Sequence, residues 1–455
     1  MSLRTLSQNK HTLKRFNTTN TKYAQYWATN FTNTGGLNNG FGAYGIKNAK
    51  KLAIDSTGAI YHTISTTLGA GNNDHLLVKF DKSGNVLWQK ALGASSSNDG
   101  PVAVFVDSSD NVYIIGGGGS SVSNGLIVAK YNSSGTLVWA INKNSTLSSS
   151  SYRIYGGSLT NNGSTILVTG DFAGTTYYGI ICSIDAATGN FNYFYRIGGG
   201  TSSTYSTVYD ANSDGTTLIA FSTYYNNGFV VNKTDLATFG TPYGFLSNRY
   251  SGAGGGPNNG GCVFVDSSGY FYIVMDGNAG VLKMDSNYNV IWTRYFNSTY
   301  LNGVHIDSSG TIFIGMRPQG TGGTTFYIVK MNSSGTVLWS NAMTAPDTNV
   351  NMTGICADPT GASIAISFTP PYTTTSTTSP YATIFNLPAD GSLNGGQVSF
   401  NGYSYTSASI SATIATTTLL GSSVVGRNSI SPVNSTYTLV DQTVTHTFAK
   451  SAFSY

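Results

Sequence analysis

The amino-acid sequence predicts an all-β protein built on one repeated unit. Three observations carry that expectation: a composition poor in helix formers, two hairpin motifs that recur along the chain, and a tryptophan that closes the second motif. The 455 residues include 55 Gly and 30 Tyr, while Asp, Glu, Lys and Arg together make up only 9%; soluble proteins typically carry about 25%. All nineteen acidic residues are Asp. Glu and Lys favour helices, whereas Thr, Tyr, Val, Ile and Phe suit a pleated, half-buried surface.

The first motif is an apolar strand, a turn of Asp-Ser-Ser-Gly type, and an apolar–aromatic strand. It reads LAIDSTGAIYHT at 52–63, VFVDSSDNVYIIG at 104–116, VFVDSSGYFYIV at 263–274, VHIDSSGTIFIG at 304–315 and ICADPTGASIAI at 355–366. The second turns at Asp/Asn-x-Ser-Gly and ends in Trp: LLVKFDKSGNVLWQK at 76–90, LIVAKYNSSGTLVWA at 126–140, VLKMDSNYNVIWTR at 281–294 and YIVKMNSSGTVLWS at 327–340. In both, Asp or Asn opens the turn by bonding its own backbone and Gly takes the left-handed position. Asp55, Asp81, Asp107, Asp266, Asp285 and Asp307 are turn residues on this reading. Weaker copies stand at 159–170, 180–195, 210–221, 229–240 and 382–395.

Two hairpins make four strands, and four strands every ~40–55 residues is the period of a propeller blade. A blade cannot bury both faces alone. It stacks on the next, with Trp and Tyr filling the wedge. The expectation is a single β-propeller of about eight four-stranded blades, with seven as the alternative. Residues 407–423 and 436–451 are expected to supply the two hairpins of the eighth. YAQYWATNF at 23–31 matches the outer strand NVLWQKALG around its Trp. It is therefore expected to close the ring as an outer strand beside the C-terminal unit. The domain division is 1–21 as a basic arm and 22–455 as the propeller.

VDSSDNVYIIG and LIVAKYNSSGTLVW resemble the bacterial β-propeller repeat family known as SBBP. Its repeat runs apolar–Asp–Ser–Ser–Gly–Asn–Val–Tyr, then Val–x–Lys–x–Asp–x–x–Gly–x–x–x–Trp. The resemblance implies the fold and leaves the activity open, because propellers host many functions.

Enzyme sites familiar on propellers are hard to build here. SIDAATGNFNY at 183–193 resembles the tryptophan-docking repeat of quinoprotein dehydrogenases, with Tyr193 replacing the Trp, but their calcium–quinone site uses a Glu. Sialidases pair a Tyr nucleophile with a Glu, and their Asp-box is one residue shorter than the spacing here. The chain has no Glu. Its five His are dispersed, and Cys182, Cys262 and Cys356 sit in apolar strand-like runs without metal spacing, as small buried hydrophobes. No catalytic residue is assigned, and a propeller lyase or hydrolase is the least favoured reading.

Three groups of residues are candidates for binding. DANSDG at 210–215 fits the start of a calcium loop, with Asp210, Asn212 and Asp214 as alternate oxygen ligands; Phe221 stands where a bidentate Glu would be needed. Otherwise no cofactor is expected. Tyr152, Tyr155, Tyr177, Tyr178, Tyr224 and Tyr225 read as loop residues of the kind that make adaptable binding surfaces. Of these, Tyr177, Tyr178, Tyr224 and Tyr225 are the candidate ligand-binding set. Eight bases precede Asp55 with no acid among them. Arg4, Lys10, Lys14 and Arg15 form an arm expected to dock on an acidic neighbouring subunit.

The composition suits a durable extracellular protein, yet the first twenty residues lack the apolar core of a secretory signal. No run of about 18 apolar residues suggests a membrane span. Virion proteins, made in a host cytoplasm and working outside it, reconcile these features. The expected function is a non-enzymatic structural or binding protein of a bacteriophage virion, either tail-associated (nozzle, fibre or adaptor) or on the capsid surface. Its expected partners are other virion subunits in a symmetric assembly and a host surface glycan, without specific nucleic-acid binding. The alternative is a bacterial surface adhesin or carbohydrate-binding propeller.

Overall fold

The structure is a computed structural model that describes most of residues 26–452; residues 1–25, 39–49, 370–381, 453–455 and several shorter loops lie outside the described residues. The basic arm, including Arg4, Lys10, Lys14 and Arg15, is among those not described.

The turns form as their chemistry requires. In the turns opened by Asp55, Asp107, Asp266 and Asp307, the Asp N–H bonds the carbonyl four residues on. Its carboxylate accepts the N–H groups two and four residues later, as Asp107 does from Ser109 and Asn111 and Asp307 from Ser309 and Thr311. Gly310, at φ +78°, completes such a turn. In the second blade this position is held by Asp110 at φ 60°. Its carboxylate accepts the backbone N–H and hydroxyl of Ser56 in the preceding blade. An unfavourable backbone position for a non-glycine residue thus coincides with a contact between blades.

Among the described residues, these hairpins assemble into seven antiparallel sheets. Six are built from consecutive strands, over 52–94, 100–144, 151–197, 207–251, 261–295 and 299–344; the seventh takes three strands from 351–388 and its fourth from the N-terminal segment. We number the blades 1 to 7 in that order. Each innermost strand packs on the next, and Asn351–Ala357 of blade 7 packs on Leu52–Ile54 of blade 1, which closes the ring. The protein is therefore an all-β single propeller.

The expected eighth blade does not form. From residue 403 the chain instead runs backwards round the rim and adds one strand to the outer edge of every sheet. Tyr403–Ser407 pairs with blade 6, Thr413–Ile414 with blade 5 and Thr418–Val425 with blade 4. Arg427–Ser429 then pairs with blade 3, Val433–Asn434 with blade 2 and Leu439–Thr443 with blade 1. Phe448–Ala452 ends the belt on blade 7, beside Trp27–Phe31, which is itself hydrogen-bonded to Thr383–Pro388. The physical reason is edge satisfaction. Seven outer strands present unpaired backbone groups, and short tail segments without capped turns satisfy them one at a time.

All five tryptophans hold equivalent places on fourth strands, and each ring lies over the positive-φ glycine of the next blade's outer turn. Trp27 covers Gly84, Trp88 covers Gly135, Trp139 covers Gly189, Trp292 covers Gly335 and Trp339 covers Gly391. Four of the indoles also donate to a carbonyl of that turn: Trp27 to Lys82, Trp88 to Ser133, Trp292 to Ser333 and Trp339 to Ala389. A lysine from the third strand supports the same joint. Lys79 and Lys283 donate to Ser133 and Ser333 at 3.1 and 3.2 Å. Both also pair with the turn carboxylates Asp55 and Asp266, on which Tyr61 and Tyr272 donate.

Candidate binding site

The innermost strands surround an axial cavity of about 710 Å³ that reaches the face carrying the first-hairpin turns. Two residues before each turn-opening position, every blade contributes one side chain to its wall: Ala53, Phe105, Ser158, Asn212, Phe264, His305 and Cys356. At the mouth are the turns themselves, with Asp107, Asp307 and Asp358 and the exposed Ser108 and Ser308.

Lys50 forms the floor. Its carbonyl accepts the Val104 N–H at 2.8 Å, and the residue bridges the backbones of Ala103 and Gly354. The side chain then crosses the axis. The ammonium donates to the carbonyls of Gly157 and Val263 at 3.1 and 3.5 Å and to the carboxylate of Asp210. It stands 4.7 Å from the centre of the Phe264 ring and 5.9 Å from that of Phe105. Asp210 is fully buried and also accepts the Val263 N–H at 2.8 Å. Burial pushes its carboxyl above the ordinary value, opposed by Lys50 and the backbone donors. Backbone and ammonium together, this one residue ties five blades together across the axis and leaves a cup open at one end.

The carboxylates at the mouth are partly committed. Burial works to raise Asp107, but bonds from Asn111, Tyr113 and Ser109 outweigh it and hold the carboxyl below the usual range. Asp307 and Asp358 use Oδ1 for their own turns, accepting from Ser309 and Thr311 and from Thr360. His305 is different. Burial brings its imidazole down to about 4, against the pull of Asp307, so it stands neutral at pH 7. Neutral imidazole offers one donor and one acceptor nitrogen.

The residues singled out from sequence fall elsewhere in part. Of the residues that the sequence offers for calcium, Asp210 and Asn212 lie on the strand Thr207–Ser213, and Asp214 follows it. Asn212 donates to the Val263 carbonyl, and Asp214 accepts the Thr216 and Thr217 N–H groups of its own turn. Among the described residues no group of three His, Cys, Asp or Glu is placed to hold a metal ion. Tyr152 and Tyr155 are not loop residues; both are buried on the strand Ser151–Leu159. Tyr152 packs on Phe194, and Tyr155 stacks on Tyr209 and donates to Asp171. Tyr178 begins the strand Tyr178–Asp185 with the Arg196 guanidinium 4.7 Å above its ring. Tyr224 ends the strand Thr217–Tyr224, and its side chain, like Tyr177 and Tyr225, is outside the described residues. Cys182, Cys262 and Cys356 are buried, and none is in a disulfide among the described residues.

Sequence reading missed Lys50 and His305. Lys50 sits in a run of bases that reads as surface, and nothing local marks the one that turns inward. His305 carries a signal only when the repeats are aligned, because it fills a wall position held by Phe in blades 2 and 5.

No protein-family model matches the chain, and no curated protein matches it. Similar solved structures include a streptogramin B lyase, 12% identical, covering 80% of this chain and 98% of that one at a TM-score of 0.46. The WD40 repeats of RRP9 are 7% identical over 76% of this chain and 96% of theirs, with a TM-score of 0.45. A DUF4221 protein of Bacteroides vulgatus is 10% identical over 84% and 97%, with a TM-score of 0.39. These likenesses carry nothing about ligand or activity.

Proposed function

We propose that the protein is a non-enzymatic structural and binding component of a bacteriophage virion. The observation that carries this reading is the belt. A chain that returns round its own ring and straps the outer edge of every sheet resists opening from any side, which suits a part that must persist outside a cell without turnover or repair. The sparse charge and the absence of Glu point the same way. Because Lys50 closes the axis, a fibre, adaptor or capsid-surface position fits better than a nozzle that passes nucleic acid along this axis. The basic arm would dock on an acidic neighbouring subunit.

The second reading is a bacterial surface adhesin or carbohydrate-binding propeller, and the cup favours it specifically. Protein mass spectrometry of purified virions separates the two. We expect the chain as a stoichiometric component, and removal of residues 1–21 should abolish its incorporation. A virion inventory lacking the protein would leave the adhesin reading in its place.

A further inference from the structure

We propose that the axial cup is a binding site for a neutral sugar ring, a proposal that rests on the reading of the protein as a binding module. The volume of about 710 Å³ falls within the range of roughly 300–1,000 Å³ typical of small-ligand sites. The choice of ligand follows from what the lining groups still have to offer.

An anionic ligand needs an available cation. Among the described residues, Lys50 is the single lysine or arginine in the lining, and it is engaged by Asp210, two carbonyls and two aromatic rings. A carboxylate or phosphate would instead meet Asp107, Asp307 and Asp358 at the mouth. A cationic ligand would find the outer oxygens of Asp307 and Asp358 but would have to descend toward the Lys50 ammonium. A wholly apolar ligand would bury Ser108, Ser308 and His305 without partners, at a cost for each lost hydrogen bond.

A neutral polyhydroxylated ring satisfies all of these groups. Its hydroxyls both donate and accept, which matches the seryl hydroxyls and the imidazole of His305. Pairs of hydroxyls can donate to the outer oxygens of Asp307 and Asp358. Its C–H faces suit the apolar wall of Phe105, Phe264 and Ile306. Mixed apolar walls with a few convergent polar groups are the general pattern of such sites.

The test is titration calorimetry on the full-length protein with methyl glucoside, N-acetylglucosamine, glucuronate and spermidine. Two variants accompany it, His305→Leu in the wall and Ser308→Trp at the exposed mouth, each checked by its melting temperature. At least one neutral sugar should bind, and either substitution should weaken it tenfold or more in a protein that still melts normally. Tighter binding of glucuronate or spermidine overturns the ligand class. Sugar binding that neither variant alters overturns the cup as its site while leaving a binding protein. Failure of all four probes with a protein that is present in virions removes this proposal and keeps the structural reading. Sugar binding in the cup by a protein absent from virions does the reverse.

Discussion

Lys50 shows how much one side chain can decide. Its ammonium replaces water with an anion, two carbonyls and two ring faces drawn from four different blades. Removing one partner of a buried pair leaves the other charge uncompensated, a loss of about 3–5 kcal/mol, whereas replacing both with apolar groups is often neutral. Lys50→Ala should therefore lower stability by about that amount, and Lys50→Met with Asp210→Leu should recover most of it. Urea denaturation monitored by tryptophan fluorescence reads both. A Lys50→Ala protein with an unchanged midpoint would mean that the pair does not brace the axis.

The joint between blades is an element that recurs. A fourth-strand tryptophan lies against a glycine turn, and both halves of the contact are sequence-specific. A Cβ on Gly135 would fall 2.8 Å from the Trp88 ring, whereas one on Gly163 would have nothing within 4 Å. Both glycines have positive φ, at +83° and +68°, so both alanine variants carry a left-handed backbone cost of about 1–2 kcal/mol. Gly135→Ala adds the displacement of an indole and should melt clearly lower than Gly163→Ala; equal melting would mean that the ring is not held there. Trp27→Ala should cost about 3–5 kcal/mol, because that indole is 1% exposed and lies at the closure, against the turn of blade 1.

At the scale of the whole molecule, the belt ties residues 403–452 to all seven sheets. Its strands are short, several of only two or three residues, so each pairing is weak and the strength lies in their continuity. Truncation after Phe400 should leave the core hairpins intact and free seven outer edges. We expect faster amide exchange along the fourth strands, such as Val86–Ala94 and Leu137–Asn144, and a higher unfolding rate. The protein should also aggregate more, through its exposed edges. Truncation that leaves exchange and unfolding kinetics at wild-type values would show that the belt is ornamental.

The sequence by itself determined the hairpins, because a capped Asp turn with a left-handed glycine is a local event settled within six residues. It also determined the blade faces and the place of Trp27, since alternation and a repeated tryptophan position need only the repeat to be read. What only the tertiary structure decided is where strands without a turn of their own would go. The tail holds apolar and polar residues in much the same alternation as a blade, and counting it as an eighth blade was consistent with its pattern. The ring closes instead between 351–357 and 52–54, and the tail is left to pair with edges that exist only once the ring has formed. The cup follows the same logic. Its seven wall positions are legible as one column of the aligned repeats, but the inward turn of Lys50 depends on Asp210, 160 residues away, and a contact at that separation leaves no local pattern to read.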